Sequence, residues 1–132
     1  MSITLTDQDK ATLRTAAYGA VSLLAAAGAP HKGITDGSIA LTSATGLVGH
    51  VLAATKSRDI NLNGKTVAEL ADHVLPALTA AMTLLQQQDP AEANNFRGTV
   101  LLALEPAQIH QDKPRPTMAD MTRKITGALD AA

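Results

Sequence analysis

Glu69, Asp72 and His73 form the densest run of acid–base side chains in this sequence. Glu69 and His73 are four residues apart, so on a helix they share a face with Asp72 beside them. Such a pair is half of the carboxylate–histidine site that helical bundles build around metal, and the other half must come from a second helix. No second such pair, no Glu-x-x-His and no His-x-x-x-His occurs, so no metal site is expected. His50 is the other histidine that falls within a predicted helix, on the edge of an apolar stripe. A polar ligand site between the second and third predicted helices would therefore draw on His50, Glu69, Asp72 and His73. The opposing reading makes Glu69 and His73 a solvated pair and His50 a packing residue at a glycine-lined crossing. A second candidate lies in the stretch His31–Gly37, where His31 and Lys32 precede a helix start. Free backbone N–H groups and two basic side chains there would suit an anion.

Other chemistry is excluded more firmly. The chain has no cysteine, which removes disulfides, thiolate metal sites and cysteine nucleophiles. The spacing Ser43-x-x-Gly46-x-x-x-His50 resembles the Cys-x-x-Cys-x-x-x-His arrangement of small helical peroxidase-type proteins. Serine and glycine stand where the thiols would be, so that activity is not carried over. Gly64-Lys65-Thr66 ends like a phosphate-binding loop, but Asp59 occupies the position of the first glycine, and a carboxylate there opposes a phosphate. Serine and threonine are too numerous for any one triad to stand out. No catalytic residue and no cofactor is assigned.

Net charge is −1, and the only two aromatic residues are Tyr18 and Phe96. A nucleic-acid binder usually carries a basic face with stacking aromatics, and here the bases are scattered. Lys113, Arg115, Arg123 and Lys124 are the sole basic group of note. No nucleic-acid partner is expected. The apolar runs 16–29 and 74–85 are too short to span a bilayer, and residues 1–10 lack a signal-peptide pattern. The expectation is a cytoplasmic chain with no membrane partner.

The elements that must position these side chains are helices. Leu, Val and Ala recur at three- and four-residue spacing, and no stretch alternates as a strand would. Thr6 and Asp9 form a capping box for a first helix, which carries Leu13, Ala17, Ala20 and Leu24 and ends at Gly28 and Pro30. A second helix is predicted from Asp36 or Ser38 to about Lys56. Gly46 and Gly49 lie inside it, as close-packing sites or a local break. Thr66 and Glu69 open a third, running to about Gln88 and kinked at Pro76. Asp89-Pro90-x-Glu92 opens a fourth, interrupted at Pro106. A Pro-rich linker over 110–116 leads to a last helix over 117–131, capped by Thr117 and Asp120. The fold class is all-α: a single-domain bundle of four to five helices over residues 1–132, with a kinked third helix.

At 132 residues with 45% hydrophobic content, apolar positions exceed what one small core takes up. The leading functional expectation is therefore a homo-oligomeric interaction module that self-associates as a homodimer. The alternative is a small-molecule-binding protein or enzyme using the polar site above. A third reading docks the C-terminal helix on a protein partner.

Overall fold

A computed structural model describes residues 5–28, 31–53, 66–109 and 116–132, with backbone alone at 31–35, 47, 67 and 107–109. Among these the chain forms six helices and no strand: α1 (Asp7–Ala26), α2 (His31–Thr42), α3 (Gly46–Ala53), α4 (Val67–Gln88), α5 (Pro90–Ile109) and α6 (Pro116–Asp130). The all-α class stands, with one helix more than the apolar periodicity suggests.

α1 begins as expected. The Thr6 hydroxyl accepts from the Asp9 N–H at 3.0 Å and the Asp9 carboxylate accepts from the Thr6 N–H at 3.1 Å, which satisfies two otherwise orphaned donors. Gly28, at φ +104°, ends it in the left-handed region. Between these ends Leu13, Ala16, Ala17, Ala20, Val21, Leu23 and Leu24 are all buried. A helix apolar over so wide an arc must be covered on several sides, and α1 touches every other helix. Its most extensive partner is α4, while α2 lies most extensively on α5.

Two predicted boundaries need correction. The stretch His31–Gly37, read as a connector, is the first half of α2. The predicted second helix, from Asp36 to Lys56, breaks at residues 43–45 into α2 and α3. The cause is local. Gly46 takes φ +75°, a conformation open to glycine at little cost, and Gly49 lies so close to the Ala44 carbonyl that no Cβ would fit between them. The backbone approach that brings α2 onto α5 falls at Gly37 instead, against the Ala103 carbonyl. The prolines terminate neither later helix: α4 runs through Pro76 and α5 through Pro106.

An eight-residue helix is marginal in isolation, and α3 is held at both ends by other helices. At its N-terminus the Glu92 carboxylate of α5 accepts from the Val48 N–H at 3.3 Å, and Asn95 donates to the Thr45 carbonyl at 2.8 Å. At its C-terminus Arg14 Nε donates to the Val51 carbonyl at 3.1 Å and the Tyr18 hydroxyl to the Leu52 carbonyl at 2.9 Å, both from α1. An anion at the first turn and a cation at the last both oppose the helix dipole.

The core is aliphatic, with Phe96 wholly buried near its middle. α6 buries Met118, Met121, Ile125 and Leu129 against α4, α1 and α5, and each such side chain contributes about 1.5–3 kcal/mol relative to exposure. Thr117, expected to cap α6, donates instead to the Ala27 carbonyl at 3.1 Å. The Thr79 hydroxyl donates to the Ala128 carbonyl at 2.7 Å. Arg97 meets Asp130 at 2.8 Å, which holds the Asp130 carboxyl below the usual aspartate range, chiefly through the hydrogen bond. The apolar face of α6 is thus covered within the chain. The Pro-rich linker at 110–115 lies outside the described residues, and no helix among those described is long and apolar enough to cross a membrane.

Candidate functional site

Two grooves among the described residues are each lined by a buried threonine hydroxyl. Most helical hydroxyls are satisfied locally. Thr12, Ser22, Thr83, Thr122 and Thr126 each donate to the carbonyl four residues back, at 2.9–3.0 Å. Thr15 and Thr99 are the buried polar side chains, at 6% and 7% exposure, and neither has a hydrogen-bond partner among the described residues. Buried polar groups are normally paired, so each marks a spot where a partner is absent. Each also lines a groove.

The first groove runs between α1 and α4 and encloses about 390 Å³. Gln8, Ala11, Thr12 and Thr15 line it from α1, with Ala11 and Thr12 each three or four residues from both Gln8 and Thr15, so they share one face. His73, Pro76, Ala77 and Ala80 line it from α4 at the same spacing. His73 is half-buried there. No carboxylate, lysine or arginine lines it.

The second groove lies between the α2–α3 junction and α5 and encloses about 410 Å³. Ala40, Ser43, Ala44 and Thr45 form one wall and Asn95, Thr99 and Leu102 the other. Its lining is also free of formal charge. The large apolar side chains left exposed among the described residues are Ile39 on α2, at 56%, and Leu102 on α5, at 59%. Both belong to the helix pair that borders this groove.

Three of the four predicted ligand residues lie on α4 and the fourth, His50, on α3. His73 lines the α1–α4 groove. Glu69 and Asp72 are exposed on the same helix, with the Glu69 N–H donating to the Thr66 hydroxyl at 3.1 Å. His50 is exposed on α3, and α3 makes no contact with α4. His73 thus faces α1, and among the described residues α3, which carries His50, does not meet α4. The side chains of His31 and Lys32 lie outside the described set. No group of three or more metal-ligating side chains occurs among the described residues.

Thr15 and Thr99 carry no conspicuous signal in sequence. The available cue is a threonine at a core-facing position of an otherwise aliphatic stripe: Thr15 lies beside Ala16 and two positions after Leu13, Thr99 beside Val100 and three after Phe96. The chain matches no protein-family model, no curated protein and no solved structure. Function is therefore argued from these grooves alone.

Proposed function

We propose that this chain is a homo-oligomeric interaction module that pairs through the α2–α5 face. The observation that carries the reading is the exposure of Ile39 and Leu102 on the two helices that border a groove with an unpaired buried hydroxyl. A twofold contact sets the same patch against itself, so it needs a projection and a hollow on one surface and no like charges opposed. The α2–α5 face has all three: two projecting aliphatic side chains, a groove of small residues, and a lining without formal charge. In such a pairing a copy's aliphatic side chain fills its partner's groove, and Thr99 gains a possible acceptor. A net charge of −1 adds little long-range repulsion between copies. A standard interface takes about 800 Å² from each partner, a modest share of the chain's 6996 Å².

Sedimentation equilibrium tests this directly. The wild type at tens of micromolar is expected to weigh twice the 13.6 kDa chain. Ile39→Lys and Leu102→Lys, both at solvent-exposed positions, are expected to remain folded and to sediment as monomers. A wild type that stays monomeric at 100 µM, or a Leu102→Lys variant that dimerises as well as the parent, rules the reading out.

A further inference from the structure

We infer that the α1–α4 groove is a binding site for a small neutral primary amide, separate from the self-association face. The two grooves share no lining residue. Three features of the α1–α4 groove define what it would take. Thr15 offers a buried hydroxyl with no partner among the described residues, and Gln8 adds amide N–H groups at the same face. These donors suit a carbonyl oxygen. The Gln8 side-chain oxygen is an acceptor at the same face and suits the N–H of the same ligand. Ala11, Ala77 and Ala80 supply a shallow apolar bed for a short alkyl body.

Charge decides between classes of ligand. No side chain of fixed charge lines the groove. A carboxylate would find no lysine or arginine there and an ammonium no carboxylate, and burying an unpaired charge is costly. A volume of about 390 Å³ lies at the lower end of small-molecule sites, about 300–1,000 Å³. Ordered water is the competing occupant, and a titration separates the two.

The probe is hexanamide, added to the full ¹⁵N-labelled chain and followed by ¹H–¹⁵N correlation spectra. Saturable shifts are expected in the amides of residues 8–15 and 73–80, with a Kd of about 1 mM for so small a molecule. Thr15→Val keeps the shape and removes the hydroxyl, so it is expected to weaken hexanamide about fivefold. Ala77→Leu fills the groove and is expected to abolish binding while α1 and α4 remain helical by far-ultraviolet dichroism. Hexanoate is expected to bind at least several-fold more weakly than hexanamide. Non-saturable shifts, shifts centred on other helices, undiminished binding by Thr15→Val, or equal binding of hexanoate would each overturn the assignment. None of these readouts depends on whether the chain dimerises through α2 and α5.

Discussion

Replacing Gly37 by alanine adds one methyl group where α2 lies directly on the backbone of α5. That methyl would fall well inside van der Waals contact distance of the Ala103 carbonyl oxygen, 3.5 Å from its carbon and 3.8 Å from Val21 Cγ2. The obstructing atom is backbone, so no rotamer change relieves it. α5 has little freedom to retreat either, because Phe96, Val100, Ala103 and Leu104 are all buried behind it. Two effects oppose each other. Alanine is better than glycine in a helix interior by about 1 kcal/mol, whereas overpacking against a fixed neighbour costs about 1–3 kcal/mol. Displacing α2 also disturbs Leu41, which is fully buried on that helix, so the steric term wins and a net loss of about 1–2 kcal/mol is expected. Gly98 is the control. It lies within α5 with nothing inside 4 Å of a built Cβ, so Gly98→Ala takes only the helix-propensity gain, about 0.5–1 kcal/mol. The two substitutions are chemically identical and should move stability in opposite directions. Urea unfolding followed at 222 nm measures both, and thermal midpoints should separate by roughly 5–10 °C for a chain of this length. A Gly37→Ala variant as stable as Gly98→Ala would show that α2 does not rest on the α5 backbone.

Two further predictions concern the polar clasps. Tyr18→Phe removes the hydroxyl that meets the Leu52 carbonyl, and a loss of about 0.5–1.5 kcal/mol is expected. Amide exchange should accelerate in α3 more than in α4, and uniform acceleration would mean that Tyr18 does not hold α3 locally. The Arg97–Asp130 pair gives an acid dependence. Its folded-state carboxyl is held low, so its contribution is present above the unfolded aspartate value of about 3.9 and is lost as pH falls through the lower folded value. Asp130→Asn should flatten that part of the stability profile below about pH 4, and an unchanged acid limb would exclude the pair as its source.

The core was legible because helical periodicity is a local property. Leu13, Val74, Leu85, Phe96, Val100, Ile125 and Leu129 fall on predicted stripes and are buried. Termini with self-contained caps were legible for the same reason, as Thr6–Asp9 shows. Misreadings arose where the deciding partner is distant in sequence. Glu92 has the look of a first-turn acid serving its own helix, yet it reaches 44 residues back to the Val48 N–H. Nothing local to α1 shows that Arg14 and Tyr18 each donate to an α3 carbonyl more than thirty residues away. Thr117 has the form of an N-cap and is taken up by α1. The α2–α3 break could be half-read: two glycines permitted it, but only the packing of α5 beneath Thr45 and Gly46 makes the open conformation the better one. Of the candidate site, His73 was visible and its partner helix was not, since nothing local to residues 66–88 points to Gln8 or Thr15.

Both grooves have one cause in composition. Close-packed interiors need side chains whose volumes match the gaps between diverging helices. This chain has one phenylalanine, one tyrosine and no tryptophan. Phe96 is taken up by the centre of the core and Tyr18 by the end of α3. Where α1 departs from α4, and where the α2–α3 junction departs from α5, the lining residues are mostly alanine, serine and threonine, too short to close the space. A monomer selected only for stability would gain by placing a larger apolar residue at Ala77 or Ala44, because filling a hollow recovers dispersion contacts, and by placing valine at Thr15 and Thr99, because an unpaired buried hydroxyl costs about 1–3 kcal/mol. Keeping both the hollow and the polar atom makes physical sense when something else completes them. At α2–α5 the exposed Ile39 and Leu102 favour a protein surface, and at α1–α4, which has no such side chains among the described residues, the polar lining favours a small molecule.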